Sequence, residues 1–480
     1  MPPDRRIRFA ENYTLTIAGK AATTAGWREI VNPATAASFA LAPDTGHDEL
    51  DAAVASARDA YPAWAATALD DRRGRLRQIA AVITENLEGL SRLLVQEQGK
   101  PLADARAEIV GAAYWATATA DLELPVQIAD GPMGRSETRH VPLGVVGAIV
   151  PWNFPIILAM FKLAPGLLAG NTMVLKPSPF TPLTTLRLGE LLRPVLPPGI
   201  VNVIAGGDSL GPLMTAHADI DKISFTGSTA TGKRVMQGAA ATMKRLTLEL
   251  GGNDAAIVLP DVDVAGITER LFWAAFKNSG QLCIATKRVY IHEAIYDALA
   301  ASLAAYARTV VVGEGFEAGV QMGPIQNRAQ FDRVSALIGD ARATGLTFLA
   351  GGELRGERPG YFIPVTLIDN PPDDARVVTE EAFGPVLPLL KYRDVDDAVA
   401  RANASRMGLG GTVWSADVAN AARIAARLET GTVAINGPTS PSPLAPFAGH
   451  KESGLGAEGG QAGLLNYTNP RTIFFPKADA

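Results

Sequence analysis

The chain holds one cysteine, Cys283, within Asn278-Ser-Gly-Gln-Leu-Cys283-Ile-Ala. One thiol excludes an intramolecular disulfide and any cysteine-rich zinc site. Taken alone, such a thiol is as often a buried apolar filler as a nucleophile. Its neighbours favour the nucleophile. Gly280-Gln281 reads as a tight turn, and Ile-Ala-Thr-Lys-Arg after the cysteine reads as a helix start. A thiol at a helix N-terminus ionises more readily and attacks more readily at neutral pH. Acyl chemistry on a thiol needs two further groups, a base for water and a donor for an oxyanion.

Glu249 closes the run Arg-Leu-Thr-Leu-Glu249 and precedes Leu250-Gly-Gly-Asn253. Standing alone it would be a solvated strand-end carboxylate. After a parallel strand it lies at the ligand edge, where it could activate water. Asn153, in Pro151-Trp152-Asn153-Phe154-Pro155, is either a helix cap or an amide donor to an oxyanion. Phe225-Thr-Gly227-Ser228-Thr-Ala-Thr-Gly232-Lys233-Arg234 nearly matches the phosphate loop GxxxxGK[ST]. It fails at Arg234, where a hydroxyl would hold Mg²⁺. The same segment also suits a helix N-terminus that takes a dinucleotide pyrophosphate, with Ser228 adding a hydroxyl. HExxH is absent and the five histidines lack ligand spacing, so no metal is expected.

These groups need strands to place them. Val145–Val150, Thr172–Lys176, Ile200–Ile204, Lys222–Phe225 and Arg245–Glu249 are short apolar or alternating runs. Helical patterns over Pro182–Leu192, Ser209–Ala216 and Thr229–Ala240 separate most of them, which implies parallel pairing. A second series runs through Ala255–Leu259, Val289–His292, Thr347–Leu349, Val386–Lys391, Thr412–Trp414 and Thr432–Asn436. Helices are expected earlier, over Asp48–Trp64, Asp71–Gly89 and Ser91–Gln98, with Gly99-Lys100-Pro101 as a break. Glu123–Val141 and Leu464–Phe475 read as extended segments that can pair and offer an edge to another subunit.

At 480 residues the chain is long enough for two to four compact units. Its 47% hydrophobic content supplies a large core, and disorder throughout is excluded. A formal charge of −5 offers no basic excess for nucleic acid or an anionic membrane surface. No apolar run follows the first six residues, so no signal peptide is expected. Leu143–Phe161 is nearly uncharged, but Pro151, Asn153 and Pro155 at its middle argue for strand, turn and helix start rather than a membrane span. A cytoplasmic location is expected.

Six motifs in order resemble the NAD(P)-dependent aldehyde dehydrogenase superfamily: PWNFP at 151–155, Lys176-Pro-Ser-Pro, FTGS at 225–228, ELGGN at 249–253, GQLC at 280–283 and EEAFGPV at 380–386. Pro446-Phe-Ala-Gly-His-Lys-Glu-Ser-Gly454 is similar to that family's PFGG-x-K-x-SG, with Ala448 in place of a glycine. The resemblance covers about residue 10 to about residue 475. It implies an α/β chain with a Rossmann-type cofactor domain, an α/β catalytic domain and a small β oligomerisation element. The expected division is 1–122 with 144–250 for cofactor, 251–449 for catalysis, and 123–143 with 450–480 for assembly as a homodimer or homotetramer.

By that resemblance Cys283 is the nucleophile, Glu249 the base and Asn153 part of the oxyanion hole. Lys162 and Glu458 match a proton path to Glu249. Lys176 matches the adenosine-ribose contact, with Ser178 and Pro179 beside it, and Gly227 and Ser228 match the pyrophosphate contact. Glu381 and Phe383 match the nicotinamide-ribose side, and Trp152, Gly207 and Leu250 complete the expected cofactor set. Phe154, Ile157, Phe161, Leu282, Ile284 and Phe447 are the expected substrate pocket; ordinary core packing is their plainer reading. Relatives that pass the acyl group to coenzyme A lack the glutamate of ELGGN, so Glu249 implies release of a free acid from a small-molecule aldehyde. Many NAD-preferring relatives carry a glutamate three residues after the ribose lysine; here Pro179 stands there, with no arginine next to it in sequence. NAD use with NADP tolerated is therefore expected.

Overall fold

The computed structural model describes residues 12–132, 134–353 and 359–476. Five parallel strands form the centre of the first sheet, in the order Val201–Val203, Thr172–Lys176, Val145–Ile149, Lys222–Thr226, Arg245–Glu249. The chain builds outward from Val145–Ile149 in one direction, then returns to its other side. The order therefore reverses between Val145–Ile149 and Lys222–Thr226, which opens a crevice at their C-terminal ends. Asn153 and Ser228 follow those two strands. Val145–Ile149 and Thr172–Lys176 are buried on both faces, which is why they read as largely continuous apolar runs; Lys222–Thr226 is equally buried yet alternates. Gly454–Leu455 adds antiparallel to the far edge and sets Gly454 opposite Glu249.

The second sheet has seven strands, in the order Thr347–Ala350, Thr366–Asp369, Val386–Tyr392, Thr286–His292, Asp254–Val258, Gly410–Trp414, Thr432–Ile435. All pair in parallel except Thr347–Ala350. A third, antiparallel sheet joins Gln127–Gly131, Gly134–Pro142 and Thr468–Pro476. It leaves Phe474 79% exposed, an apolar side chain with no cover within the chain. A hairpin of Gly26–Asn32 and Ala37–Asp44 lies near the N-terminus.

Several expectations need correction. The residues after Cys283 form no helix; Thr286–His292 is a central strand, as its Val-Tyr-Ile core prefers. The early helices are Leu69–Glu85 and Leu87–Gln98, so the break falls at Asn86 rather than near Leu90. Leu102–Ala120 is a further helix that the pattern did not announce. Buried residues surround most of its circumference, so no apolar stripe marks it. The tail holds a short helix, Gly460–Leu465, before its strand begins. Among the described residues no helix is long and apolar enough to cross a membrane; Leu143–Phe161 is strand, turn and helix start.

Candidate active site

The turn before Cys283 is backbone under constraint. Asn278, Ser279 and Gly280 hold φ of 52°, 59° and 72°, three left-handed residues in succession. The two that carry a Cβ cost about 1–3 kcal/mol each and need outside support. Support comes from Ser279 Oγ, which donates to Gly323 O at 2.8 Å, and from Gln281. Its Nε2 donates to Asn278 O at 3.0 Å and its Oε1 accepts from Gln326 N at 2.9 Å. A Cβ on Gly280 would lie 2.3 Å from Gly384 O, so glycine is required there.

The turn delivers Cys283, half-buried, to a cavity of about 480 Å³. Burial pushes its thiol up to about 12, with Lys287 opposing. Lys287 Nζ donates to the Cys283 carbonyl at 2.6 Å. Easy ionisation from a helix N-terminus is thus replaced by a thiol that keeps its proton until something takes it.

Asn153, Glu249, Glu458 and all six expected pocket residues line the same cavity. Asn153 follows the strand Val145–Ile149 and is buried. Its Nδ2 donates to Gln281 O at 3.0 Å, which fixes the amide and leaves its second hydrogen for another acceptor. Its main-chain carbonyl accepts from Asn278 Nδ2 at 3.2 Å and from Lys100 Nζ at 3.0 Å. Phe161 is stacked on Trp115 with ring centroids 3.5 Å apart, a rigid apolar wall. Thr226, Trp273, Thr439 and Lys277 also line the space, and Lys277 pairs with Asp104 at 3.2 Å.

Glu249 is buried, and neither carboxylate oxygen has a hydrogen-bond partner. Burial first, then the charge of Glu458, pushes its carboxyl well above the usual range, with Lys162 opposing. Glu458 is ion-paired to Lys162, whose Nζ also donates to Thr226 Oγ1 at 2.8 Å and Ser224 Oγ at 3.2 Å. Tyr467 OH continues the network to Ser224 Oγ at 3.1 Å. Glu458 arrives by a two-way bridge with Phe447, the N–H of each residue donating to the carbonyl of the other at 2.7 and 2.8 Å.

The expected cofactor residues lie around the crevice. Lys176 is buried, burial lowers its ammonium to about 8, and its Nζ donates to Pro177 O at 3.3 Å. That long contact leaves a buried ammonium suited to hydroxyl acceptors such as those of a ribose. Ser228 caps the helix Thr229–Ala239, whose N-terminus opens on the crevice. Only Gly227 and Ser228 separate strand from helix, and Gly232-Lys233-Arg234 lies inside the helix. The phosphate-loop reading falls there, because its glycine-rich loop is helical backbone. Lys233 instead pairs with Glu452 at 3.1 Å. The Leu250 side chain occupies the space that a Cβ on Gly232 would need, 2.5 Å away. Gly207 N–H donates to Asp44 Oδ1 at 2.9 Å. Ser178 Oγ accepts from Phe180 N at 3.3 Å, and Pro179 is half-buried beside it. Glu381 accepts from Gly252 N at 3.1 Å and pairs with Lys287 at 3.5 Å. Trp152 meets Phe383 edge to face at 5.4 Å. A buried lysine, a capped helix N-terminus and an aromatic edge suit a dinucleotide.

Sequence reasoning missed Lys100, Glu108, Lys287, Ser224 and Tyr467. Lys100 was read only as part of a helix break. Its sequence neighbours Glu97, Gln98 and Asp104 are polar, so nothing local marked it as a buried lysine. Among the described residues no cluster of His, Cys, Asp and Glu could hold a metal ion.

The model of the Aldehyde dehydrogenase family matches residues 21–473. The chain is 42% identical over 455 residues to the FUS7 protein of Gibberella fujikuroi, covering 95% of this chain and 96% of that one. A betaine aldehyde dehydrogenase of Staphylococcus aureus, solved with NAD+ and a BME-modified cysteine, superposes with a TM-score of 0.93. The two are 32% identical, with 98% and 97% of the chains covered. An NADP-dependent enzyme of Escherichia coli superposes with a TM-score of 0.94 at 34% identity, with 97% and 98% covered.

Proposed function

This chain belongs to the aldehyde dehydrogenase family, and we propose that it oxidises an aldehyde to the free carboxylic acid through a thioester on Cys283. The observation that carries the reading is Glu249, buried on the Cys283 cavity with both carboxylate oxygens unpartnered. A carboxylate held dry and without donors is a base waiting for a proton.

The thiol first gives up its proton, and Glu249 is the acceptor on the same cavity. The thiolate sulfur then bonds to the aldehyde carbon, and the carbonyl electrons move to oxygen. The free N–H of Asn153 and the Cys283 main-chain N–H stabilise that oxyanion. As the oxyanion collapses, the carbon loses hydride and a thioester remains; bound NAD(P)+ supplies the hydride acceptor. Once that first proton has passed out by way of Glu458 and Lys162, Glu249 removes a proton from water, which adds to the thioester carbon; the C–S bond breaks to release the acid, and the sulfur takes the proton from Glu249 to restore the thiol. The sum is aldehyde, oxidised cofactor and water giving acid, reduced cofactor and a proton.

Lys176 and Ser178 would hold the adenosine ribose, Gly227, Ser228 and Leu250 the pyrophosphate side, and Glu381 and Phe383 the nicotinamide ribose. NAD is used, and NADP is tolerated because Pro179 cannot repel a phosphate. Residues 1–122 with 144–250 serve the cofactor and 251–449 carry the thiol. Residues 123–143 with 450–480 serve assembly into a homo-oligomer, and the last segment also carries Glu458 into the cavity. The exposed apolar edge at Phe474 supports that assembly.

The test is reduced-cofactor formation on a panel of aldehydes with wild type and Cys283→Ala. The variant should lose oxidation and still bind NAD+ in a calorimetric titration. Activity near wild type in Cys283→Ala removes the thiol from the mechanism.

A further inference from the structure

Pro179 stands where a glutamate would discriminate against NADP, and its neighbourhood is not confined to its own loop. It lines a cleft of about 170 Å³ together with Arg28, Phe180, Asn327 and Arg328. Arg28 comes from the N-terminal hairpin, far from Lys176 in sequence. Its guanidinium leans on Gly207; a Cβ there would lie 2.7 Å from Arg28 Nη1. The same guanidinium acts on the buried Lys176 ammonium, pushing it further down, while Asp208 and Asp44 act oppositely. Arg28 from the hairpin thus shares a cleft, which Glu29 also lines, with Pro179, and Lys176 and Ser178 lie just before Pro179 at the end of the strand Thr172–Lys176.

Arg28 is not consumed by an internal partner. It is half-exposed, and its contact with Asp44 is long, 3.5 Å, between groups 42% and 34% exposed. Such a pair is worth little in water and yields readily to a better anion. A phosphate monoester is that anion, because guanidinium matches it with two parallel donors.

We infer that Arg28, with Lys176 and Ser178, forms a subsite for the 2′-phosphate of NADP, and that Arg28 is the residue through which the chain accepts this cofactor. The inference rests on the cofactor reading above. Asp44 and Asp208 act against the positive charge at Lys176, so the site does not require a phosphate and both cofactors bind. The correction to the sequence reading is specific: no arginine follows Lys176 in the chain, but the hairpin brings one beside it.

The experiment is calorimetric titration of the full chain with NAD+ and with NADP+, for wild type, Arg28→Ala and Arg28→Lys. Arg28→Ala should weaken NADP+ by about tenfold to a hundredfold, the range for losing a charge-assisted contact. NAD+ should stay within about twofold, and Arg28→Lys should fall between, since it keeps charge but not the fork. In wild type the NADP+ affinity should fall more steeply with salt than the NAD+ affinity. Equal losses for both cofactors, or none for NADP+, overturn the subsite while leaving the cofactor reading intact. Wild type that binds NAD+ and rejects NADP+ also overturns it. Binding of neither overturns both.

Discussion

The Lys100 ammonium donates to the main-chain carbonyl of Asn153 at 3.0 Å from a fully buried ion pair with Glu108. The pair grips the 151–157 segment twice, because Glu108 Oε1 accepts from Ile156 N at 2.9 Å. Lys100 also lies over the Phe154 ring, 3.7 Å from its centroid. Asn153 is therefore held by its carbonyl as well as by its amide.

This grip predicts a split between folding and rate. Lys100→Met leaves Glu108 buried and unpaired, a loss of about 3–5 kcal/mol. Lys100→Met with Glu108→Leu should recover much of the Tm. Its kcat should still be down by about tenfold to a hundredfold with KM little changed, because the oxyanion donor is loose. Wild-type kcat in the refolded double variant removes Lys100 from positioning.

Glu249→Gln should slow both half-reactions, deacylation far more than thiol attack, because thiolate can still form by loss of its proton to solvent. The amide cannot take a proton from water, so deacylation stalls while some hydride transfer continues. Rapid mixing should show one burst of reduced cofactor followed by slow turnover. Full steady-state turnover with no trapped thioester would assign the base elsewhere.

The pH profile follows from two raised acids. Burial pushes the Cys283 thiol up to about 12 and the Glu249 carboxyl well above its usual range. In the proposed mechanism both act in their deprotonated forms, and a raised pKa leaves those forms scarce at neutral pH. Activity should therefore rise with pH across about 6 to 9. A measured kcat/KM that falls over that interval contradicts the assignment.

Substrate charge is read from the cavity walls. Lys277 is the one Lys or Arg among the lining residues described, and Asp104 already pairs with it. Glu249 and Glu458 would repel a substrate carboxylate. Neutral, partly apolar aldehydes such as benzaldehyde should give higher kcat/KM than succinic semialdehyde. The reverse order counts against an apolar pocket.

Pro179→Glu places a carboxylate in the cleft shared with Arg28. It should suppress NADP use selectively, through repulsion of the phosphate and capture of the guanidinium. The measurement is kcat/KM for both cofactors in wild type and variant. Equal NADP discrimination in the two proteins would locate cofactor selection at another position.

The parallel strands and the groups at their ends were legible because periodicity and ligand edge are linked by topology. Glu249 and Asn153 could be picked out that way. Pairings between distant segments left no local trace. Arg28 on Gly207 and Lys100 on Asn153 depend on how separate elements dock. The turn at 278–280 was half-legible: Gly280 announced a tight backbone, but Asn278 and Ser279 are held left-handed by Gly323 and Gln326 contacts that only folding supplies. The helix expected after Cys283 failed because a β-branched run inside a sheet overrides what its first residues suggest.

The bridge between Phe447 and Glu458 ties two late segments of the chain into the cavity. Cys283, Glu249 and Asn153 all leave the ribosome well before the segment that brings Phe447 and Glu458 to the cavity wall. A nascent chain halted near residue 440 carries its thiol and its base over an unfinished floor. On the proposed mechanism, the thiol and its base should therefore be inactive until the last segment docks. A tag or truncation that frays the last forty residues should undo that completion without touching any residue that bonds to substrate.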